Sequence, residues 1–301
     1  MTDSVTLHGV LVALVTPFTA DGSAIDFETL DAHVNRLIEA GVHGLVPGGS
    51  TGEFTALTFD ERKQLTEACV KAADGRVPVI AGTGALSSAE TVELSRHAAE
   101  VGASALMVVP PFYDAPTLDE VRSHLAAVRE ASKLPIVYYN IPSASGVKLT
   151  PAEIAGLAEI EGVEYLKDTS GDAVSLSELL LAHADQITAF NGWDTLTFFG
   201  LVSGSKGTVW GATNVIPELS MQLWDAVAVR GDLAAGRRLW EKIWPVCNFL
   251  ESFNYAAAVK TGLELIGQPA GPVRAPFALL DDNARAEFTK ILDAAGVLDL
   301  R

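Results

Sequence analysis

The chain has 301 residues, 49% hydrophobic and 20% charged, a composition typical of a globular protein with one large domain or two smaller ones. Its formal net charge of -17, from 38 acidic and 21 basic residues, produces a field that repels nucleic acid and anionic membrane surfaces. No apolar run approaches the roughly 20 residues that span a bilayer, and MTDSVTLHG lacks the pattern of a signal peptide, so we expect a soluble, cytoplasmic protein that binds neither nucleic acid nor membranes.

Short apolar, β-branched runs recur along the first two thirds of the chain, and most are separated by segments with helical periodicity. In chain order, the eight predicted strands lie in GVLVALVTPF, GVHGLVPGG, VPVIAGTG, ASALMVVPP, LPIVYYNIP, VEYLKDTSG, QITAFNG and GSKGTVWG. Most strands are therefore expected to be followed by a helix that packs against the sheet.

The segments between the strands carry the signals of capped, amphipathic helices. In the first segment the apolar residues share one helical face and Gly41 follows as a stop; they are Phe27, Leu30, Val34, Leu37 and Ile38. Four later helix starts have the spacing of an N-cap or capping box: Thr58 with Glu61, Ser87 with Glu90, Thr117 with Glu120, and Thr150 with Glu153. These polar residues are expected to be structural and not catalytic.

Eight βα units in succession predict a (β/α)8 barrel, the TIM-barrel fold of the α/β class. An open, doubly wound sheet is the alternative, but no Gly-x-Gly-x-x-Gly follows the first strand to support a dinucleotide site. From about residue 217 the strand signals stop and helical segments follow. We therefore predict a catalytic barrel over residues 1–225 and a C-terminal helical extension, packed on the barrel, over residues 226–301.

The sixth strand ends in a lysine. In a barrel of this type the chemistry lies where the strands end at their C-terminal side. Strand alternation puts Val163, Tyr165 and Lys167 on one face. A lysine is usually a solvated surface residue, but on an interior face burial disfavours the charged form. The neutral amine is the nucleophile that forms Schiff bases with carbonyl compounds, so Lys167 is a candidate for that chemistry.

Three other strands end in residues suited to anion binding or proton transfer. The second ends in GGSTGE, where glycines permit unusual backbone angles and the amides of Ser50 and Thr51 can cradle an anion. A tight turn capped by either hydroxyl is the structural alternative.

The fourth and fifth strands end near Tyr113, Tyr138 and Tyr139, and alternation lets only one of the last two face inward.

The cysteines and histidines do not predict a metal centre. Cys69 and Cys247 lie far apart and outside any Cys-x-x-Cys pair, so both are expected to be core residues. The six histidines are scattered and lack the His-x-x-x-His spacing of a helical metal site.

The motifs TPF, GGSTGE, PFYD, YYNIP, LKDTSGD, NGWD and GPVRAP occur in this order along nearly the whole chain. Together they resemble the pyruvate-dependent class I aldolases and lyases typified by dihydrodipicolinate synthase and N-acetylneuraminate lyase. The resemblance implies that Lys167 forms an imine with pyruvate or another 2-keto acid and that Tyr139 moves protons. It also implies that Ser50 and Thr51 hold the substrate carboxylate and that Tyr113 completes a proton relay across a subunit interface.

The resemblance extends to further positions and to the assembly. Four more residues match substrate-binding positions: Gly49, Gly192, Asp194 and Val209. The protonated imine is itself an electron sink that stabilises an enamine, so no metal or organic cofactor is expected. The resemblance also implies a small-molecule 2-keto acid substrate and a homotetramer built as a dimer of dimers.

Two departures from the family pattern bear on the substrate. Ala144 stands where dihydrodipicolinate synthases carry an arginine that binds the carboxylate of the aldehyde partner. Thr195 stands where neuraminate lyases carry a glutamate that binds sugar hydroxyls. Trp193 and Trp210 occur near the expected second-substrate pocket, where they either line it, favouring a sugar-acid chain or an apolar aldehyde, or pack between strand and helix.

These departures favour one of three functions. The leading one is a Schiff-base lyase that acts on pyruvate or a 2-keto-3-deoxy sugar acid, by retro-aldol cleavage or dehydration. A 4-hydroxy-tetrahydrodipicolinate synthase, which condenses pyruvate with aspartate semialdehyde, is the alternative and is weakened by Ala144. A non-catalytic binding protein on the same fold is disfavoured because Lys167, Tyr139, Thr51 and Tyr113 are all present.

Overall fold

Eight parallel strands close into a barrel in the computed structural model, which describes residues 6–298. The strands are β1 (Gly9–Ala13), β2 (Gly44–Val46), β3 (Ile80–Gly82), β4 (Ala105–Val108), β5 (Ile136–Asn140), β6 (Val163–Asp168), β7 (Thr188–Asn191) and β8 (Gly207–Trp210). They follow the order β2-β1-β8-β7-β6-β5-β4-β3, and a parallel bridge between Leu45 and Val79 joins the two ends. Each strand lies in one of the predicted runs, so the (β/α)8 barrel is confirmed.

Helices alternate with the strands and cover the outside of the barrel. They are α1 (Phe27–Glu39), α2 (Phe59–Ala73), α3 (Ser88–Glu100), α4 (Leu118–Ser132), α5 (Pro142–Ser145), α6 (Pro151–Ala155), α7 (Ala173–Ala182), α8 (Thr197–Val202), α9 (Pro217–Trp224), α10 (Leu233–Glu251), α11 (Tyr255–Leu265) and α12 (Asp282–Ala294). Short 3-10 helices follow β7 and β8, at Asp194–Leu196 and Ala212–Asn214.

The predicted helix signals are confirmed with one exception. Thr58, Thr117 and Thr150 form complete capping boxes, and the Ser87 hydroxyl caps α3. The predicted apolar face of α1 is buried at its centre, but Phe27 in the first turn is 43% exposed because it lines an open groove between α1 and α2.

A bulge in β6 determines which of its side chains face the barrel interior. Val163 and Tyr165 pair with consecutive residues of β5, so Glu164 is an extra residue in β6. Val163 consequently packs in the cluster between sheet and helices, while Tyr165 belongs to the cluster inside the barrel. The prediction that Val163 shares the face of Tyr165 and Lys167 is therefore wrong, because strict alternation does not allow for the bulge.

The helices that follow β8 form one apolar cluster on the outside of the barrel. Residues of α9 to α12 pack there with Trp210 of β8 and with Cys247. Cys69 lies in the cluster under α1 and α2, and both cysteines are buried and unpaired, as expected of core residues.

The division into residues 1–225 and 226–301 stays a prediction, and its ends, residues 1–5 and 299–301, lie outside the described residues. Within residues 6–298, no helix combines the length and the apolar character needed to cross a bilayer.

A buried ion pair joins the helical extension to the loop after β2. The Nζ atom of Lys260, on α11, lies 2.7 Å from Oε1 of Glu53 and 4.1 Å from the centroid of the Phe18 ring. Lys260 is completely buried, and burial lowers its pKa to about 8 against the opposing effect of the Glu53 charge. Close by, Arg274 donates hydrogen bonds of 2.5 and 2.7 Å to the two carboxylate oxygens of Glu61 on α2. These contacts fix the C-terminal segment against the GGSTGE loop.

Candidate active site

A cavity of about 220 Å³ lies at the rim formed by the C-terminal ends of the strands. Seven of the predicted site residues line it: Ser50, Thr51, Tyr139, Lys167, Gly192, Asp194 and Val209. Two residues of the helical extension, Glu251 and Tyr255, also line it. The cavity is therefore built from both predicted parts of the chain.

Lys167 and Tyr139 lie side by side on neighbouring strands. They are register partners in the parallel β5–β6 pair, and both line the cavity. The Nζ atom of Lys167 lies 4.1 Å from the centroid of the Tyr139 ring, and the two residues are only 5% and 3% exposed. Tyr138 packs in the outer cluster instead, where burial raises the pKa of its hydroxyl. The prediction that only one of the two tyrosines faces inward is confirmed, and that residue is Tyr139.

Gly192 leaves space for the Lys167 side chain. A Cβ atom at position 192 would lie 2.7 Å from both Cε and Cγ of Lys167 and 2.4 Å from Oγ1 of Thr169. The Thr169 hydroxyl donates to the Gly192 carbonyl at 3.1 Å, and the Gly192 N–H donates to the Asp168 carbonyl at 2.7 Å. Any larger residue here would displace the lysine side chain or the loop after β7.

The GGSTGE loop lies across the cavity from Lys167, because β2 and β6 are on opposite sides of the barrel. Gly48 has a φ of +70°, a backbone conformation that favours glycine. Within residues 6–298 the backbone N–H groups of Ser50 and Thr51 donate to no protein acceptor, so they are available to an anion. Neither hydroxyl caps a helix, since α2 is capped by Thr58. The structural alternative of a turn capped by one of these hydroxyls is therefore wrong.

Two predicted site residues do not line the cavity. The Gly49 carbonyl accepts hydrogen bonds from the N–H groups of Gly52 and Phe54, and a Cβ at position 49 would lie 3.0 Å from Cε of Met107. Gly49 thus shapes the loop from behind the cavity. Tyr113, in the loop after β4, is 87% exposed. Its role in a relay between subunits stays a prediction, because the structure describes one chain.

Asp194 is a buried carboxyl group held between β8 and the helical extension. Its Oδ2 atom accepts hydrogen bonds from the Tyr255 hydroxyl and, at 3.1 Å, from the backbone N–H of Ala212. Its Oδ1 atom accepts no hydrogen bond from the described residues. Burial raises the pKa of Asp194 to about 7; the Glu251 charge acts in the same direction, whereas the two hydrogen bonds and the Lys167 charge oppose the rise.

Glu251, the last residue of α10, brings a second carboxyl group to the cavity. Its two oxygens accept hydrogen bonds from the Thr195 backbone N–H at 3.0 Å and from the Thr195 hydroxyl at 2.8 Å. Burial raises the pKa of Glu251, against the effect of these hydrogen bonds. Within residues 6–298, no group of three or more His, Cys, Asp or Glu side chains is arranged to hold a metal ion.

Sequence reasoning missed Glu251 and Tyr255. Both lie far along the chain from the strand ends, in the segment ESFNY, which runs from the last residue of α10 to the first of α11. Glu251 itself offered one signal, its position at the C-terminal end of a helix. An acidic residue there interacts unfavourably with the helix dipole, which suggests a compensating role.

The two tryptophans near the predicted pocket have different surroundings. Trp193 lines the cavity. Trp210 is 1% exposed and packs in the outer cluster, with its ring centroid 6.5 Å from that of Trp240. The packing alternative therefore holds for Trp210 and the pocket alternative for Trp193.

Ala144 lines a second hollow, of about 320 Å³, beside the cavity. The hollow shares Ser50, Ile141 and Tyr255 with the cavity. Three phenylalanines also border it: Phe54, Phe112 and Phe277. Among the described residues that line either space, Lys167 is the only basic one. Among the lining residues that the structure describes, no cation therefore takes the place of the arginine that is missing at position 144.

Known proteins resemble this chain over almost its full length. A model of the Dihydrodipicolinate synthetase family matches residues 6–295. A DapA-like lyase of Halobacterium salinarum is 39% identical, over 98% of this chain and 96% of the relative. A 4-hydroxy-tetrahydrodipicolinate synthase of Pelobacter propionicus is 36% identical, over 96% of this chain and 99% of the relative. The solved chloride-inhibited dihydrodipicolinate synthase of Acinetobacter baumannii, complexed with pyruvate, has a TM-score of 0.92 and 32% identity, over 97% of this chain and 100% of that one.

The raised pKa of Asp194 predicts a pH-dependent cost to folding. The unfolded carboxyl ionises near 3.8 and the folded one near 7, so between these values the folded chain binds more protons and stability falls as pH rises. Asp194→Asn removes this titration. At pH 8 the variant should therefore melt at a higher temperature than the wild type, by roughly 1–2 °C for each kcal/mol of folding free energy relieved, and at pH 5 the gain should be smaller.

Differential scanning calorimetry at the two pH values measures the effect. Asp185→Asn is the control, because Asp185 is an exposed residue of the same type and its replacement should leave the pH dependence unchanged. An Asp194→Asn variant with the same difference from wild type at both pH values would show that the carboxyl does not titrate as stated.

Proposed function

The chain belongs to the Dihydrodipicolinate synthetase family, and from this membership we propose that it is a lysine-imine lyase that cleaves or dehydrates a 2-keto-3-deoxy sugar acid. The observation that carries the proposal is the position of Lys167, whose amine is buried at the C-terminal rim of the barrel beside Tyr139. Class I aldolases of this family work through an imine between a lysine and a keto group.

Imine formation needs a nucleophile, a proton carrier and an anchor for the substrate. The Lys167 ammonium first releases a proton, and the amine then attacks C2 of the keto acid; the C–N bond forms as the carbonyl double bond opens. Tyr139 carries a proton to the resulting carbinol oxygen, which leaves as water and gives the protonated imine. The free N–H groups of Ser50 and Thr51 bind the C1 carboxylate and so orient C2 toward the amine.

The protonated imine then serves as an electron sink for either of two reactions. In retro-aldol cleavage, the C4 hydroxyl loses its proton, the C3–C4 bond breaks, and its electron pair moves toward the imine nitrogen as an aldehyde leaves. Protonation of the enamine at C3 and hydrolysis of the imine release pyruvate. In dehydration, the C3 proton is removed and the C4 hydroxyl leaves as water. Hydrolysis returns Lys167 as a free amine in both cases.

A 4-hydroxy-tetrahydrodipicolinate synthase is the second candidate, because a relative of that name is 36% identical to this chain. Its aldehyde partner, aspartate semialdehyde, would bring a second carboxylate to the cavity. Ala144 offers no cation for this group, whereas Asp194 and Glu251 line the cavity with carboxyl groups. The lyase proposal is therefore better supported.

The enzyme is proposed to act in the cytoplasm as a homotetramer built from two dimers. Leu86 and Phe112 border one surface groove, and the adjacent Tyr113 is 87% exposed. The exposure of Leu86, at 57%, and of Tyr113 supports a contact between subunits there. The unpaired Cys69 and Cys247 support a reducing compartment.

Borohydride treatment in the presence of pyruvate should leave a reduced adduct on Lys167, since hydride traps the imine. Peptide mass spectrometry identifies the modified residue. Lys167→Arg should lose both the adduct and turnover. The control Lys206→Arg should retain both, because Lys206 is exposed. An adduct on Lys148 or Lys206 in the wild-type enzyme would overturn the assignment.

Tyr139→Phe should lower kcat by about 10²- to 10⁴-fold, the usual contribution of a general acid-base group. Steady-state kinetics and pyruvate titration give kcat and binding separately, and binding should persist. Tyr138→Phe is the matched control, because the Tyr138 hydroxyl is buried outside the cavity and has no hydrogen-bond partner among the described residues. If the two variants retain equal kcat, Tyr139 only contributes packing.

Light scattering of the purified enzyme should give the mass of four subunits. Tyr113→Asp should shift the mass toward smaller species, because a carboxylate in an apolar contact is costly to bury. A monodisperse, fully active monomer would contradict the proposed assembly.

A further inference from the structure

The loop that is proposed to bind the substrate carboxylate carries a carboxylate of its own. Glu53 is the last residue of GGSTGE, and its backbone N–H donates to the Ser50 carbonyl at 3.1 Å. Glu53 therefore closes the turn that contains the N–H groups of Ser50 and Thr51. It is only 8% exposed, and it borders the hollow of about 320 Å³ together with Ser50. An unpaired negative charge in this turn would repel the anion that the loop is proposed to bind.

The Lys260 ammonium supplies the compensating charge. Its Nζ atom lies 2.7 Å from Oε1 of Glu53 and donates a hydrogen bond of 2.8 Å to the Pro272 carbonyl. Because Lys260 is completely buried, its charge depends on protein partners instead of water. The neighbouring Arg274 directs its guanidinium to the Glu61 carboxylate, and its backbone N–H donates to Oε2 of Glu53 at 3.0 Å.

We propose that Lys260 is a positioning residue for the substrate carboxylate: by neutralising Glu53, it keeps the turn at Ser50 and Thr51 available to an anion. The inference rests on the imine-lyase function proposed above and deepens it, since recognition of the 2-keto acid then depends on a residue of the helical extension. Lys260 acts without touching the substrate, because neither Lys260 nor Glu53 is among the described residues that line the cavity of Lys167.

The backbone of Glu53 shows why its side-chain contacts matter for the loop. Its φ of 54° lies in the left-handed region, which is uncommon outside glycine. Both carboxylate oxygens are held, Oε1 by Lys260 and Oε2 by the Arg274 N–H. A backbone conformation of this kind persists only where the surroundings fix it. Loss of the Lys260 contact would therefore let Glu53 change its backbone angles and shift the neighbouring amides.

The alternative is that the ion pair only anchors α11 to the barrel. An anchor stabilises the fold and affects ligands with and without a carboxylate alike. Charge compensation instead changes the preference for pyruvate over pyruvamide, in which an uncharged amide replaces the carboxylate. The two roles are therefore separable by this pair of ligands.

The experiment traps the Lys167 imine with cyanoborohydride and determines, by intact mass spectrometry, the concentration of each ligand at half-maximal adduct. The wild type should favour pyruvate over pyruvamide. Lys260→Met should lower this preference by about tenfold, because it leaves Glu53 unpaired. Lys260→Gln should do the same; it keeps a hydrogen-bond donor at the position, and it decides the question if the methionine variant does not fold.

A double variant and a control complete the set. Lys260→Met/Glu53→Gln removes both charges, so it should return the preference to within about threefold of the wild type. The control Arg285→Met breaks an ion pair of 2.7 Å with Glu264 inside the helical extension and should leave the preference unchanged.

Each outcome decides a different part of the inference. An unchanged preference in the Lys260 variants, or an equal loss for the two ligands, would mark an anchor and overturn it. A double variant that prefers pyruvate as weakly as Lys260→Met also overturns it, since the Glu53 charge is then not the cause. Equal trapping of both ligands by the wild type overturns the inference but leaves the imine chemistry standing. Absence of the pyruvate adduct on Lys167 refutes the proposed function itself, and the inference with it.

Discussion

The barrel depends on the close approach of β1 and β8, where two glycines meet. Gly9 and Gly207 are register partners, and a Cβ atom on Gly207 would lie 2.3 Å from the Gly9 carbonyl oxygen. Gly9 also has a φ of +79°, which disfavours any other residue. Because this pairing joins the first strand to the last, all strands end at one rim and loops distant in sequence line one cavity.

Inside the closed sheet, register determines which side chains can react. The bulge at Glu164 turns Val163 outward while Tyr165 and Lys167 stay on the interior face. The pairing of Lys167 with Tyr139 then puts a phenol next to the amine. The proposed nucleophile and the proposed proton carrier are thus positioned by backbone hydrogen bonds of the sheet and not by a flexible loop.

The helical extension completes the site and stabilises its far side. Lys260 holds the loop after β2 through Glu53, while Glu251 and Tyr255 hold the segment after β7. The pKa values of Asp194 and Glu251 are both raised by burial, so their ionised forms cost folding free energy. Carboxyl groups that line a cavity and destabilise the fold when they ionise are typical of functional sites.

The sequence by itself determined the eight strands, the capped helices and Lys167 as an interior residue, and it limited the interior tyrosine of the fifth strand to one of Tyr138 and Tyr139. These features follow from alternation, helical spacing and capping, which act between residues a few positions apart. Only the tertiary structure decided that Glu251 and Tyr255 join the cavity, that Trp210 leaves it, and that Tyr113 lies exposed in the described chain. Those outcomes depend on how the extension docks on the barrel, and docking is set by packing between surfaces distant in sequence, which no local pattern encodes.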